Sequence, residues 1–301
     1  MEKTIQFSAY NKSLFGIMHL PDSGEINRAV LMVIGGPQTR IASHRMYVQL
    51  ARYLCNNGVA VLRFDYEGMG DSHGDFVGFE YAGASIRAAV DVLYQEIPTL
   101  KDLVLWSLCD GAAASIFYAP TDRARIAAMI LANPYVHTEE GEAQAILKHY
   151  YVRRLLEKSF WRKVFSFRLS IKDSLHSLTE ILTTASSGKK KQIVADKLMK
   201  DGTLPQRVLR GILMFKKPIT FLISTNDLTG LEFRDLVQNN TESKKLLRDG
   251  ALSFRYIKDA DHTFSNSRSK EQAFKETLSA FENISDDQHI ANPLENLVAT
   301  E

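Results

Sequence analysis

The fold is decided by Asp102-Leu-Val-Leu-Trp-Ser107-Leu108-Cys109-Asp110-Gly111. The run Asp102–Trp106 is short, apolar and strand-like, and it empties directly into a turn with Cys109 at the apex. A strained strand-to-helix turn brings the backbone two positions before and two after its apex too close for large side chains. Ser107 and Gly111 meet that demand around Cys109. Ser107 is a poor apex itself, because its flanks would be Leu105 and Cys109, and Leu105 would crowd the turn. The stretch therefore reads as a nucleophile elbow with a thiol at its apex, and a helix is expected to start there.

Working outward, apolar runs alternate with amphipathic ones, the pattern of a mostly parallel sheet with crossover helices. Leu14–Leu20 reads as an early strand. Ala29–Ile34 reads as a buried strand opening into Gly35-Gly36-Pro37, and Val59–Phe64 as the next strand, after a helix over Arg45–Asn57 closed by Gly58. The segment Asp65–Ser72 is too rich in Gly and Asp to continue a strand. Tyr81–Glu96 has helical periodicity, and Ile126–Leu131 is a further strand, closed by Asn133-Pro134. Strand signals return at Ile219–Ser224 and Leu252–Ile257 with a helix between them, and a last helix is expected over Ser269–Glu282.

The fold class expected from this order is α/β: an α/β-hydrolase fold, its mostly parallel sheet flanked by helices and carrying an inserted helical cap. Residues 1–134 and 212–285 would form the core, 135–211 the cap, and 286–301 a loosely attached tail. An insertion at that point must cover or flank Cys109, because loops at strand C-termini border the site in open parallel sheets. Its aromatic and apolar residues, among them Tyr150, Tyr151, Leu155, Phe160, Trp161, Phe165 and Phe167, either hold the cap down or line an acyl pocket.

The same fold sets a chain order of nucleophile, acid and histidine, with the acid after a strand and the histidine on a late loop. Asp227 follows the strand ending at Ser224, and His262 follows the strand ending at Ile257. Cys109 at a helix N-terminus beside His262 favours a thiolate, and attack on an acyl carbonyl would give a thioester. Asp227 would hold the imidazole tautomer. The oxyanion would meet the backbone N–H of Asp110 and one from the Gly36-Pro37-Gln38 loop, where Pro37 lacks an N–H and Gln38 is favoured.

Each residue has a plainer reading. An isolated Cys is usually a small buried hydrophobe, and the elbow context is what argues otherwise; Cys55 is read as core of its helix. Asp227 could merely cap a helix. Asp259 and Asp261 compete for the acid role, but their closeness in sequence to His262 makes the approach awkward and suits turn residues better.

A chain of 301 residues, 45% hydrophobic and 24% charged, suits one large domain with an insertion. Two cysteines, Cys55 and Cys109, give no disulfide framework and suit free thiols. No segment approaches the roughly 18 apolar residues of a membrane span, so a cytoplasmic protein is expected. The net charge of +2 hides an asymmetry: Lys148–Lys217 holds 17 Lys or Arg against 5 Asp or Glu, leaving the remainder acidic. That stretch is either a solvated helical face or a surface for an anionic partner, with Arg153, Arg154 and Trp161 as candidate substrate-binding residues. No metal spacing, phosphate-cradling glycine loop or nucleic-acid motif is present, and no cofactor is expected.

Taken together, Gly35-Gly36-Pro37-Gln38, Phe64-Asp65-Tyr66-x-Gly68-x-Gly70-Asp71-Ser72, Leu108-Cys109-Asp110-Gly111-Ala112, Asn226-Asp227 and Asp261-His262-Thr263-Phe264-Ser265 resemble the type 1 group of exosortase A system-associated hydrolases. The likeness covers most of the chain, is weakest in the cap, and departs at Ser107, where that group is expected to have Gly. The cysteine elbow is also similar to that of dienelactone hydrolases. The resemblance implies Cys109 as nucleophile, Asp227 as acid and His262 as base, in a bacterial setting of exopolysaccharide production.

The function expected is acyl transfer from an ester or thioester, free or carrier-bound, to water or to a sugar hydroxyl. A catalytically silent hydrolase fold serving as a binding or scaffold protein is the alternative, and a broken triad would mark it. A haloalkane or epoxide type of hydrolase would need a carboxylate at position 109, and Asp110 is off the apex.

Overall fold

The computed structural model describes residues 1–136 and 201–288 except Ser23 and Pro37, with side chains as far as residue 284. Its centre is an eight-stranded sheet in the order β1-β2-β4-β3-β5-β6-β7-β8. The strands are β1 Glu2–Ala9, β2 Lys12–His19, β3 Arg28–Val33, β4 Ala60–Phe64, β5 Asp102–Leu108, β6 Ile126–Ala132, β7 Ile219–Ser224 and β8 Leu252–Ile257. β1 and β2 pair antiparallel and β2 joins β4 antiparallel, while every pairing from β4 through β8 is parallel. The expected α/β-hydrolase fold is borne out.

Burial follows from the layering. β4, β6 and β7 are buried at every residue, as strands covered on both faces must be, and their sequences AVLRF, IAAMILA and ITFLIS are near-continuously apolar. β1 alternates exposed and buried, which suits an edge strand with one face on the core. No strand is read from the sequence over Glu2–Ala9, because Glu2, Lys3, Thr4, Gln6 and Ser8 dilute its apolar signal to Ile5, Phe7 and Ala9.

The flanking helices are α1 Met46–Asn56, α2 Gly83–Glu96, α3 Asp110–Tyr118, α4 Leu204–Phe215, α5 Leu228–Asn239, α6 Thr241–Arg248 and α7 Ser267–Gln288. Two helices, not one, connect β7 to β8, divided at Asn240, whose side chain accepts the Ser243 N–H and starts α6. α4 opens with a capping box in which the Thr203 side chain and Gln206 reciprocally satisfy the first turn. It runs across the boundary drawn at residue 211.

α4 also shows what some of the basic residues do. The Arg207 guanidinium lies 4.8 Å over the Phe117 ring of α3 and pairs with Glu80. Lys217 donates to the carbonyls of Arg123 and Ile126 at 2.6 and 2.9 Å. These two charges fasten α4 to the core. Residues 137–200, with Arg153, Arg154, Trp161 and the aromatics assigned to a cap, lie outside the described residues, as do 289–301 of the tail. No helix among the described residues is long and apolar enough to cross a membrane.

Candidate active site

β5 ends at Leu108 and α3 begins at Asp110, so Cys109 is the whole of the connection between strand and helix. Its backbone sits at φ 60°, ψ −129°, a conformation costly for a residue with a Cβ. The surroundings enforce it: the Cys109 N–H donates to Ala132 O and the Tyr135 N–H donates to Cys109 O, each at 3.1 Å. The apex is thus pinned at both ends to the segment leaving β6.

Close packing explains the small neighbours. A Cβ on Gly111 would lie 2.6 Å from Ile34 O and 2.7 Å from Val33 O, so only glycine lets α3 rest on the end of β3. A Cβ on Gly35 would meet Asp110 Oδ1 at 2.3 Å and Leu108 O at 2.6 Å. Ser107 is fully buried, its Oγ 2.8 Å from Ser115 Oγ of α3, and takes a structural place under the apex.

His262 follows β8 on a short loop, and its Nδ1 lies 2.8 Å from Asp227 Oδ2. The imidazole also interacts with the side chain of Cys109, which acts to raise its pKa. Burial is the largest single influence on the ring and works against its charge, but the hydrogen bonds and charges of Asp227 and Cys109 together outweigh it and raise its pKa to about 10. The arrangement is a buried carboxylate, an imidazole disposed to be cationic, and a thiol, in line.

Asp227 is buried and serves as the N-cap of α5, accepting the N–H groups of Thr229 at 3.3 Å and Gly230 at 3.0 Å. Helix capping and contact with the imidazole therefore coexist in one side chain. Asp259 has φ 56° and gives its N–H to Thr225 Oγ1, and Asp261 accepts the Ser265 N–H at 2.9 Å. Both hold turns. Cys55 is half-buried on α1, and burial raises its pKa.

Asn133 was read only as the close of a strand, and the structure gives it more. It is fully buried with φ 41°; its Oδ1 accepts the Ser224 N–H at 2.8 Å, and its Nδ2 donates to Ser224 Oγ and to His262 O, both at 2.9 Å. It ties the end of β7, which leads to the acid, to the loop that carries the histidine. An Asn just past a buried apolar run is the sequence signal for such a role, and it equally marks a turn.

A cavity of about 240 Å³ opens at Cys109. Among the described residues its polar side is formed by Gly36, Gln38, Asp110, His262 and Thr263, and its other wall by Tyr47, Phe79, Leu108 and Tyr135. Phe79 stacks on Phe117 and meets Tyr135 edge-on, each at 6.4 Å between ring centroids, which makes this wall aromatic and firm. Tyr47 is buried, and its hydroxyl donates to Val33 O at 3.3 Å.

The oxyanion side differs in detail from expectation. Gln38 borders the cavity, but its backbone N–H is spent on Gly36 O at 2.8 Å. The Asp110 carboxyl lies among the N–H groups of Gly36, Asp110 and Gly111, yet its Oδ1 is buried without a hydrogen-bond partner. Burial raises this carboxyl's pKa despite those N–H groups and the charge of His262. No group of His, Cys, Asp and Glu among the described residues is arranged to hold a metal ion.

Residues 26–223 match the model of the family described as serine aminopeptidase, S33. No curated protein matches the chain. In architecture it is similar to an esterase from Pyrococcus furiosus, with a TM-score of 0.62 at 16% identity over 94% of this chain and 91% of that one. It is also similar to a dienelactone hydrolase from Anabaena variabilis, with a TM-score of 0.59 at 12% identity over 94% and 97% of the two chains. An alpha/beta hydrolase from a Penicillium species gives 0.58 at 15% identity, with 94% and 98% covered.

Proposed function

The chain belongs to the serine aminopeptidase, S33 family of α/β-fold hydrolases, and from that premise we propose that it cleaves a carboxylic ester or thioester with Cys109 in the place for which the family's name has a serine. The observation that carries this reading is the alignment of Cys109, His262 and Asp227 on three separate loops at one end of the sheet, with the imidazole between thiol and carboxylate.

The chemistry follows from the geometry. His262, held cationic, is the counter-ion a Cys109 thiolate needs. The thiolate adds to the acyl carbonyl, forming the C–S bond while the carbonyl π pair moves to oxygen. Collapse re-forms the C=O bond and expels the alkoxide or thiolate of the substrate, which takes the proton from His262. Neutral His262 then removes a proton from water as the water attacks the thioester, and the second collapse releases the acid and restores the thiolate. Asp227 keeps the ring oriented and stabilises its charged form in both halves. A sugar hydroxyl in place of water would make the same intermediate an acyl donor, which is the form of the reaction suited to exopolysaccharide production. That setting rests on the resemblance of the elbow, acid and histidine motifs to exosortase A system-associated hydrolases. The cavity of about 240 Å³ and its aromatic wall favour a short or flat acyl group at the apex.

The test is intact-mass analysis after exposure to a panel of acyl esters and acyl-thioesters. A mass gain equal to one acyl group in the wild type, absent in Cys109→Ala, is the expected result. Turnover that survives Cys109→Ala would sink the assignment.

A further inference from the structure

We propose that the side chain of Asp110 is a working part of the oxyanion hole: as a neutral acid it donates its O–H to the carbonyl oxygen under attack, and as a carboxylate it claims the hole's backbone N–H groups for itself. The proposal rests on the reading of Cys109 as the acyl-accepting nucleophile.

Position favours this role. Asp110 directly follows the apex, opens α3 and borders the cavity beside Cys109 and His262. Negative charge develops on the carbonyl oxygen at this helix start, and donors placed there in advance lower the barrier. The backbone N–H groups of Gly36, Asp110 and Gly111 favour the ionised form of the Asp110 carboxyl, so an ionised side chain competes with the oxyanion for the same positive surroundings. Like charges at one site disfavour each other, and the reaction proceeds with the least opposition when the carboxyl is neutral.

An unpartnered oxygen points the same way. Oδ1 is buried with no hydrogen bond, a poor place for half of a carboxylate charge and a tolerable one for a neutral carboxyl. The groups facing it come from four directions. Tyr47 of α1 and Tyr66 after β4 stand beside it as neutral phenols whose hydroxyls already donate to Val33 O and Ile34 O. Cys109 adjoins it in sequence. His262, after β8, supplies positive charge, but that charge is engaged by Asp227 and Cys109. Burial acts on the carboxyl in the same direction as this crowding.

The loop after β3 also withholds one donor. The Gln38 N–H, which the loop after β3 would otherwise offer, is bonded to Gly36 O. A protonated carboxyl at Asp110 fills that role, as neutral carboxylic acids can when an apolar site holds them protonated at neutral pH. Its proton stays on Asp110 throughout; only the hydrogen bond strengthens as the oxygen gains charge.

The experiment uses the full chain and two reagents. p-Nitrophenyl acetate reports acyl transfer, and iodoacetamide reports thiolate reactivity at Cys109 without forming an oxyanion. Asp110→Ala should lose about 10²-fold or more in ester kcat/KM, the cost of one oxyanion donor, and Asp110→Asn should recover at least about tenfold of that loss. Wild-type ester hydrolysis should fall with rising pH through a step that Asp110→Asn lacks, and the difference should remain after each ester rate is divided by the same protein's iodoacetamide rate, which removes any change in the thiolate itself. Coincident ester profiles for wild type and Asp110→Asn would overturn the proposal, as would an Asn variant no better than Ala. A 13C-carboxyl titration of the unliganded wild type decides independently of any substrate: Asp110 ionising within the ordinary aspartate range refutes the proposal. The underlying nucleophile reading fails differently, through ester turnover that persists in Cys109→Ala or through a Cys109 that never becomes acylated.

Discussion

The carboxylate of Asp227 is shared between two duties: Oδ2 lies 2.8 Å from Nδ1 of His262, and the same group receives the N–H of Gly230 at 3.0 Å as the cap of α5. The two duties separate by substitution. Asp227→Asn retains an oxygen for the cap, and Asn ranks with Asp there, so the stability it loses is that of the ion pair with His262 and not that of the cap. It loses the charge and the tautomer control, and kcat/KM on p-nitrophenyl acetate should fall by about 10³ to 10⁴. Asp227→Ala should match that loss of activity and cost about 1 kcal/mol more than Asp227→Asn in chemical denaturation, the share of the cap. An Asn variant of near wild-type activity would remove Asp227 from the triad.

Protonation of His262 also links stability to pH. Its folded pKa is raised from 6.5 to about 10, so the folded state binds its proton more tightly than the unfolded chain. The stabilisation is complete below about 6.5 and is lost as pH rises through about 10. Thermal midpoints of the wild type should decline across that window more steeply than those of His262→Gln. Parallel curves would mean that the ring is not held cationic in the fold.

Asn133→Ala should destabilise the protein by about 2–3 kcal/mol in urea, because the buried Ser224 N–H loses its acceptor and His262 O loses its donor. Activity should fall as well, since the imidazole's loop loses its tether to the end of β7. Asn133→Asp keeps the acceptor for Ser224 and should recover part of the stability. A change below about 0.5 kcal/mol for Ala would show that water replaces both bonds.

At Gly111 a methyl group would meet only backbone: Ile34 O at 2.6 Å, with Ile34 C and Val33 O at 2.7 Å. Nothing there is the flexible end of a side chain, so α3 must shift away from β3. Gly111→Ala should cost about 3 kcal/mol and carry Cys109 out of line with His262, read as loss of both urea midpoint and iodoacetamide reactivity.

Much of this was legible in the sequence because the determinants are local. Buried parallel strands write themselves as unbroken apolar runs, and β3 through β8 fall where those runs do. The elbow is legible because steric exclusion at Ser107 and Gly111 leaves a spacing. Asp227 and His262 are legible because chain order and strand ends place them. β1 was missed because only three of its eight residues face the core. Asn133, Tyr47 and Phe79 were missed because their roles are set by what lies across the sheet, and nothing in their neighbours in sequence announces it. The commitment of the Gln38 N–H to Gly36 is likewise a property of loop geometry that residue type does not encode.

The hydrogen bond from the Tyr135 N–H to the carbonyl of Cys109 has a mechanical consequence. Val136 is the last described residue of this segment, so the described chain leaves β6 through a root fastened to the reactive residue's own backbone. A displacement of Tyr135 reaches the apex directly through this bond, in addition to the bond between the Cys109 N–H and Ala132 O. The aim of the thiol and the path of the chain through Tyr135 are therefore coupled.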